Sequence, residues 1–210
     1  MIQETLAVGP LQCNCVILGC ERTREAVVID PGDEAERIVR AITSAGLSVK
    51  YLLHTHAHFD HVGATREVKK AAGGAPCLHR DDEFLYTHLP MQGQLFGFRL
   101  EEAPPVEKFL EDGETVVFGD HRMEVIHTPG HSPGGLCFRL ETGGAQWLFS
   151  GDTLFDHSVG RTDLWGGDGE NLTRSIRTRI FTLDDETRVQ PGHGPQTLVG
   201  VEKRENPFLR

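Results

Sequence analysis

Four histidines and one aspartate stand within eight residues of the chain, in residues 54–61, which read HTHAHFDH. The chain has 11 histidines in 210 residues, so eight residues would hold about 0.4 histidines by composition, whereas this segment holds four. Imidazole nitrogen and carboxylate oxygen are usual ligands of Zn(II), Fe(II) and Mn(II) in proteins. The segment therefore predicts a metal site.

Three later segments repeat one arrangement, in which an apolar strand leads into a turn that carries glycine and one metal-binding side chain. The strand at 123–127 leads to His131, the strand at 146–149 to Asp152, and the strand at 187–190 to His193. Ligands of α/β proteins bind beyond the carboxyl ends of strands, and glycine lets the backbone turn sharply there. One such turn is a weak indication, but together with residues 54–61 the three predict a single metal centre.

The elements that must position these side chains alternate between strands and helices along the whole chain. The predicted strands are 14–18, 25–30, 49–53, 76–78, 115–118, 123–127, 136–140, 146–149 and 187–190. The predicted helices are 34–45, 62–72, 81–89, 171–181 and 198–204, and residues 90–105 are predicted to be an ordered surface loop. This mixture predicts an α/β or α+β layered fold with mixed β-sheets.

Charge and composition disfavour several classes of protein. Lys and Arg number 21 against 31 Asp and Glu, a net charge of −10, which disfavours nucleic-acid binding because phosphate contacts need Lys and Arg. No apolar run approaches the roughly 20 residues of a membrane-spanning helix, and no signal peptide is visible at the start. The five cysteines form no C-x-x-C pair, so we expect free thiols and a cytoplasmic location.

The metal-binding segments together resemble a known family. Residues 55–61 match the His-x-His-x-Asp-His motif of the metallo-β-lactamase fold, and His131, Asp152 and His193 follow in the expected order. Within that superfamily the chain most resembles the short, single-domain relatives of glyoxalase II, the hydroxyacylglutathione hydrolases. The resemblance implies an αββα four-layer sandwich of two mixed β-sheets, with residues 1–210 as one catalytic domain and no helical glutathione-binding domain after it.

The resemblance also implies a role for each of the seven metal-binding side chains. The implied ligands are His56, His58 and His131 for one metal ion, Asp60, His61 and His193 for a second, and Asp152 as the bridge between them. Two divalent ions per chain are therefore expected, with zinc as the expected metal and iron or manganese as alternatives. Such a pair of ions supplies hydroxide at neutral pH. Asp60 would in addition orient this nucleophile and accept its proton.

Asp30 and Arg161 are candidates beyond the metal ligands. Asp30 ends an apolar strand and is either a turn-forming aspartate or, as the resemblance implies, a carboxylate that supports the metal-binding loop; we favour the second. Arg161 lies close after Asp152 in the sequence. It is either a solvated, salt-bridged arginine or a fork for a substrate carboxylate such as the glycyl end of glutathione.

The reaction that the resemblance implies is the hydrolysis of a small-molecule hydroxyacyl thioester of the S-lactoylglutathione type, with neither nucleic acid nor membrane as a partner. The alternative is a persulfide dioxygenase of the same fold with one iron, because residues 160–163, Gly-Arg-Thr-Asp, resemble that family too. Three further alternatives are disfavoured. A flavodiiron module would carry glutamate in place of His58, and a nuclease would not be expected to be so acidic. A non-catalytic metal-binding protein would not be expected to keep the complete set of metal ligands.

Overall fold

The computed structural model describes residues 1–210, which form 14 strands and seven α-helices. The strands are β1 (Ile2–Val8), β2 (Cys13–Gly19), β3 (Glu25–Ile29), β4 (Ser48–Leu53), β5 (Ala75–Leu78), β6 (Lys108–Phe109), β7 (Thr115–Phe118), β8 (His121–His127), β9 (Leu136–Thr142), β10 (Ala145–Gly151), β11 (Leu154–Phe155), β12 (Ser158–Val159), β13 (Arg188–Pro191) and β14 (Thr197–Leu198). The helices are α1 (Ala35–Ser44), α2 (Phe59–Val62), α3 (Thr65–Ala72), α4 (Glu83–Thr87), α5 (Leu89–Leu95), α6 (Gly169–Ser175) and α7 (Val199–Glu205). None of the helices has the length and hydropathy that crossing a membrane requires.

Twelve of the strands form two six-stranded sheets, each of which contains parallel and antiparallel pairs. The first has the order β1-β2-β3-β4-β5-β6, and its strands from β3 onward are parallel. The second has the order β14-β13-β10-β9-β8-β7 and contains one parallel pair, β10 with β13. Strands β11 and β12 form a separate small hairpin.

Most inner strands of the two sheets are apolar on both faces, and their successive side chains enter different cores. In β2, Val16 and Leu18 belong to the core between the sheets, whereas Cys15 and Ile17 belong to the core beneath α1 and α3. Side chains of the second sheet alternate in the same way between two cores, and the outer face of this sheet packs against α6, α7 and residues 176–180. The layers are therefore helix, sheet, sheet and helix, which confirms the predicted αββα sandwich.

Residues 90–105 are not a loop throughout, so that prediction was wrong for their first part. Helix α5 runs through Leu95, with Pro90 in its first turn, where a missing N–H is tolerated. The buried side of α5 includes Gln92 and Gly93, which pack against other segments of the chain. Because these residues are not apolar side chains, the sequence shows no regular apolar stripe here. Local periodicity therefore did not reveal this helix.

Two predicted helices differ from those in the structure. The helix predicted at 62–72 is α3, which begins only at Thr65; Val62 instead ends the separate short helix α2, and between them lies Gly63, where a side chain would collide with the backbone of Gly32 and Phe59. The helix predicted at 171–181 begins as α6, capped by the Asp168 side chain, and continues as a π-helical turn over Ile176–Ile180. Strand β1 was not predicted, because it lies at a sheet edge and buries only Leu6 and Val8.

The core between the sheets should dominate stability. Phe138 is fully buried there, so Phe138→Ala should lower the free energy of unfolding by about 3–5 kcal/mol through lost burial and an unfilled cavity. Denaturation in urea would measure the change. The matched control is Phe84→Ala, whose side chain is 58 % exposed and should change the free energy by less than about 0.5 kcal/mol. Equal effects of the two substitutions would contradict this assignment of the core.

Candidate metal centre

All seven predicted ligands meet at one edge of the sandwich, beyond the carboxyl ends of strands from both sheets. The first sheet contributes the segment that follows β4, and the second sheet contributes the turns that follow β8, β10 and β13. The ligand-bearing segments are 54–58 and α2 after β4, 128–135 after β8, Gly151-Asp152 at the end of β10, and 192–194 after β13. The structure thus brings together residues up to 137 positions apart, from His56 to His193.

The first group consists of His56, His58 and His131, whose ligand atoms all lie within 4.8 Å of one another. All three side chains are buried. The Nε2 atoms of His56 and His131 are 3.2 Å apart. Burial and the neighbouring imidazoles lower the pKa of His58 to about 3 and that of His56 well below its ordinary value. These two rings are therefore neutral and can offer lone pairs.

The second group consists of Asp60, His61 and His193, again within 4.8 Å of one another. His193 Nε2 lies 3.2 Å from Asp60 Oδ2 and 3.2 Å from His61 Nε2. Burial alone would raise the pKa of Asp60, but the two imidazoles lower it below its ordinary value. Asp60 is therefore ionised at neutral pH.

Asp152 lies between the two groups. Its carboxylate oxygens are 3.4 Å from His61 Nε2, 3.6 Å from His131 Nε2 and 3.7 Å from His193 Nε2. Burial would raise its pKa, but these imidazoles lower it well below its ordinary value. Its Oδ1 atom is buried and has no hydrogen-bond partner within the protein. An ionised carboxylate with an unpartnered buried oxygen has the chemistry of a bridging metal ligand.

The hydrogen bonds around the first group test whether it fits a metal ion. His131 Nδ1 donates to the Arg161 carbonyl oxygen at 2.7 Å, and His56 Nδ1 donates to Thr55 Oγ1 at 3.1 Å. A neutral imidazole that donates through Nδ1 has a lone pair on Nε2. When both rings are in this form, two Nε2 lone pairs face each other across 3.2 Å and repel unless a cation lies between them. The donor set fits a divalent metal ion.

The surroundings of His61 also demand positive charge. Burial alone would lower its pKa, but the carboxylates of Asp152, Asp60 and Asp30 raise it well above the ordinary value. A proton on His61 supplies one positive charge beside these carboxylates. A divalent cation would displace that proton and supply two positive charges. Cys13 is not a ligand candidate, since burial raises the pKa of its thiol to about 12.

Asp30 holds both groups in place from behind. Its Oδ2 atom accepts hydrogen bonds from His61 Nδ1 at 2.9 Å and from the Thr55 hydroxyl at 2.6 Å, and Thr55 in turn contacts His56. Its Oδ1 atom accepts from the Thr55 N–H at 2.7 Å. Asp30 has a φ of +51°, a conformation that aspartate tolerates better than most residues. The structure therefore places Asp30 where a carboxylate would orient a metal-binding histidine.

Two positioning residues were missed by sequence reasoning. Asp82 accepts hydrogen bonds from the Ala57 N–H at 3.0 Å and the Ser132 hydroxyl at 2.8 Å, and so joins the His58 segment to the His131 turn. Asn14 donates to the carbonyl oxygens of Pro191 and Gly194 at 3.0 Å, on both sides of His193. Asp82 carries no motif, and Asn14 lies in an otherwise apolar strand, so neither gives a local sequence signal.

The metal centre opens into a cleft of about 470 Å³. Arg161 lines the cleft, but its guanidinium donates two hydrogen bonds to the Asp163 carboxylate, at 2.7 and 2.8 Å. The structure thus places Arg161 beside the site and in a salt bridge.

His54, next to the motif, lies outside both groups, and burial lowers its pKa to about 4.

An αββα sandwich with histidine and aspartate ligands clustered at one edge defines a class of metal-dependent hydrolases. The chain belongs to the metallo-β-lactamase superfamily, whose family model matches residues 8–193. It is 39 % identical to the hydroxyacylglutathione hydrolase GloC of Haemophilus influenzae over 98 % of this chain and 97 % of that protein.

Solved structures show the same fold over the full chain. The BLEG-1 B3 metallo-β-lactamase is 37 % identical with a TM-score of 0.91 and 99 % of each chain covered. TTHA1623 in a di-iron-bound form is 41 % identical with a TM-score of 0.87 and complete coverage of both chains. ETHE1 from Myxococcus xanthus is 28 % identical with a TM-score of 0.82, over 99 % of this chain and 84 % of that one.

The contacts of Asp30 yield a test. Asp30→Asn removes the negative charge behind His61, so metal affinity should fall about 10- to 100-fold, as is typical when a carboxylate behind a histidine ligand is lost. Competition with a chromogenic chelator would measure the affinity. The control Glu36→Gln removes an exposed carboxylate that belongs to neither ligand group, and should leave the affinity unchanged. An unchanged affinity in Asp30→Asn would refute the role of Asp30.

Proposed function

We propose that this chain is a metal-dependent thioester hydrolase that cleaves hydroxyacyl thioesters of the S-lactoylglutathione type. The observation that carries the proposal is the presence of two three-residue ligand groups with Asp152 between them, a donor set for two ions rather than one. The similarity to a relative named hydroxyacylglutathione hydrolase over nearly the whole of both chains supports the choice of substrate.

The proposed cofactor is a pair of divalent metal ions. The proposed ligands are His56, His58 and His131 for one ion, Asp60, His61 and His193 for the other, and Asp152 for both. When bound, such ions acidify a shared water and stabilise negative charge on a carbonyl oxygen. We propose zinc, and iron is the competing metal because a 41 % identical protein has been solved in a di-iron-bound form.

Asp60 is the residue that we propose to handle the proton. Its carboxylate is ionised, is 16 % exposed and lines the cleft. It can therefore orient a water molecule and accept its proton while the water oxygen attacks the thioester carbonyl. The C–O bond forms, the C–S bond breaks, and the proton passes to the departing sulfur, which leaves as a thiol beside a carboxylic acid.

A persulfide dioxygenase is the second candidate. The solved ETHE1 structure supports it through 28 % identity, and residues 160–163 support it through the Gly-Arg-Thr-Asp sequence. Two histidines and one carboxylate, such as His56, His131 and Asp152, would suffice for a single iron ion. This candidate leaves the Asp60, His61 and His193 group without a role, which is why we rank it second.

One sample can separate the two candidates. Purified protein should carry close to two divalent ions per chain by elemental analysis, and should hydrolyse S-lactoylglutathione without consuming oxygen when given glutathione persulfide. A single tightly bound iron per chain together with persulfide-dependent oxygen uptake would instead establish the dioxygenase. Both assays must use the same metal-analysed preparation, because the two activities require different metal contents.

The role of Asp60 can be tested in the same assay. Asp60→Asn removes the proton acceptor while keeping the side-chain shape, so kcat should fall about 10²- to 10⁴-fold. Elemental analysis of the variant would show whether the loss arises from the metal or from the proton transfer. Asp184→Asn, on the exposed surface, is the control and should keep full activity. Normal turnover by Asp60→Asn would exclude the proposed role.

A further inference from the structure

The cleft beside the metal centre has an apolar wall, which we define as Leu11, Leu95, Phe96 and Trp165. These side chains are exposed by 46, 64, 46 and 42 % of their surface. Only seven large apolar side chains of the whole chain are exposed to this degree, and four of them line this one cleft. Clustered exposed apolar side chains mark a binding surface rather than random surface composition.

Each part of the apolar wall is anchored to a segment that carries metal ligands. The Phe96 ring stacks on Phe59 at 5.1 Å between centroids, and Phe59 precedes Asp60. The Leu11 carbonyl oxygen accepts a hydrogen bond from His193 Nδ1 at 2.9 Å. The apolar wall therefore has a set position relative to the proposed ligands on this side of the cleft.

The opposite part of the wall is anchored in the same manner. Trp165 precedes Gly166, which has a φ of +78° and lies so close to the Pro133 ring that a side chain there would collide with it. The Asp168 N–H donates to the Gly130 carbonyl oxygen at 2.7 Å, next to His131. The loop that carries Trp165 is thus held against the His131 turn, and a substrate group that enters the cleft meets a preformed surface.

The cleft offers few cationic side chains to an anionic substrate. Arg161 is the only lysine or arginine that lines the cleft, and its guanidinium is occupied by Asp163, whose pKa it lowers to about 2. The other carboxylates in the lining, Asp60 and Asp152, belong to the proposed metal centre. Apart from the proposed metal ions, Arg161 is therefore the one cationic group that could bind the carboxylates of a thiol such as glutathione, and it would have to exchange Asp163 for the substrate.

We propose that the apolar wall binds an uncharged alkyl or aryl group of the substrate. The inference rests on the proposed thioester hydrolysis and narrows its substrate class: thioesters with a hydrocarbon group beside the reacting carbonyl or on the sulfur are favoured over thioesters of a charged thiol. Leu95, Phe96 and Trp165 determine this specificity, whereas the metal centre determines the reaction.

Two substrate series test the proposal with the metal-loaded protein. The first keeps a neutral thiol, N-acetylcysteamine, and lengthens the acyl group from acetyl to hexanoyl; the second keeps a lactoyl group and replaces glutathione by neutral alkyl or aryl thiols. In the series whose variable group contacts the wall, kcat/KM should rise about three- to fourfold per added methylene. Flat profiles in both series, or a preference for S-lactoylglutathione over every neutral thioester, would overturn the proposal.

Substitutions in the apolar wall test whether its side chains cause the dependence of kcat/KM on chain length. Leu95→Ala and Trp165→Ala remove exposed side chains, so the fold should persist while the dependence of kcat/KM on chain length becomes flat. Phe208→Ala is the matched control, because it removes a side chain that is 63 % exposed but does not line the cleft, and the chain-length dependence should remain. An unchanged dependence in both wall variants would refute the assignment.

A binding measurement tests the apolar wall independently of whether the protein hydrolyses thioesters. The chain has two tryptophans, so in a Trp147→Phe background the fluorescence reports on Trp165 alone. Thioether analogues that cannot be hydrolysed should bind more tightly, by about three- to fourfold per methylene, and change this fluorescence. If no thioester is hydrolysed but the thioethers bind in this order, the hydrolase assignment fails and the apolar wall stands; if affinity is independent of chain length, the wall is refuted.

Discussion

The concentration of two ionised carboxylates and five imidazoles at one edge of the sandwich is the constraint on which the rest of the structure depends. Asp60 and Asp152 are held with little access to water, and buried negative charge is unfavourable unless positive charge lies beside it. The packing is so close that Gly192 has no room for a side chain, because its Cβ would collide with Asp152 Oδ1. The site therefore requires cations and a backbone that permits this approach.

Holding these groups together requires links between the two sheets, because the ligands come from both. Asp82 joins the segment after β4 to the turn after β8, and Asn14 joins β2 to the turn after β13. Asp30 orients His61 directly and His56 through Thr55. Three polar side chains from the first-sheet half of the chain thus fix the relative positions of the ligand-bearing segments, whose rigidity the hydrophobic core alone would not ensure.

The sequence predicted the parts of this arrangement that are local. Residues 54–61 combine dense histidine with a strand end, and His131, Asp152 and His193 each follow an apolar strand beside a glycine, so their convergence could be predicted before the sheets were known. The layered fold was predicted because most of its strands are continuous apolar runs. Helix α5 and Asp82 could not be predicted, because what determines them is contact with distant residues such as Ala57 and Ser132 rather than a period or a motif. Strand β1 could not be predicted because, at the sheet edge, it buries only Leu6 and Val8.

The residues proposed to carry out the reaction and the residues proposed to select the substrate lie in different parts of the fold. The proposed ligands lie shortly after core strands, in turns and in α2, whereas the side chains of the apolar wall come from the β1–β2 turn, the end of α5 and the loop after β12. Substitutions of exposed side chains such as Leu95 and Trp165 can reshape the cleft without removing a ligand, since these side chains are neither ligands nor part of a core strand. Proteins that share the fold of this chain closely, with TM-scores of 0.91 and 0.82, accordingly bear names as different as B3 metallo-β-lactamase and ETHE1. The likeness of the scaffold therefore supports a metal-dependent hydrolase, and the substrate must be inferred from the side chains that line this particular cleft.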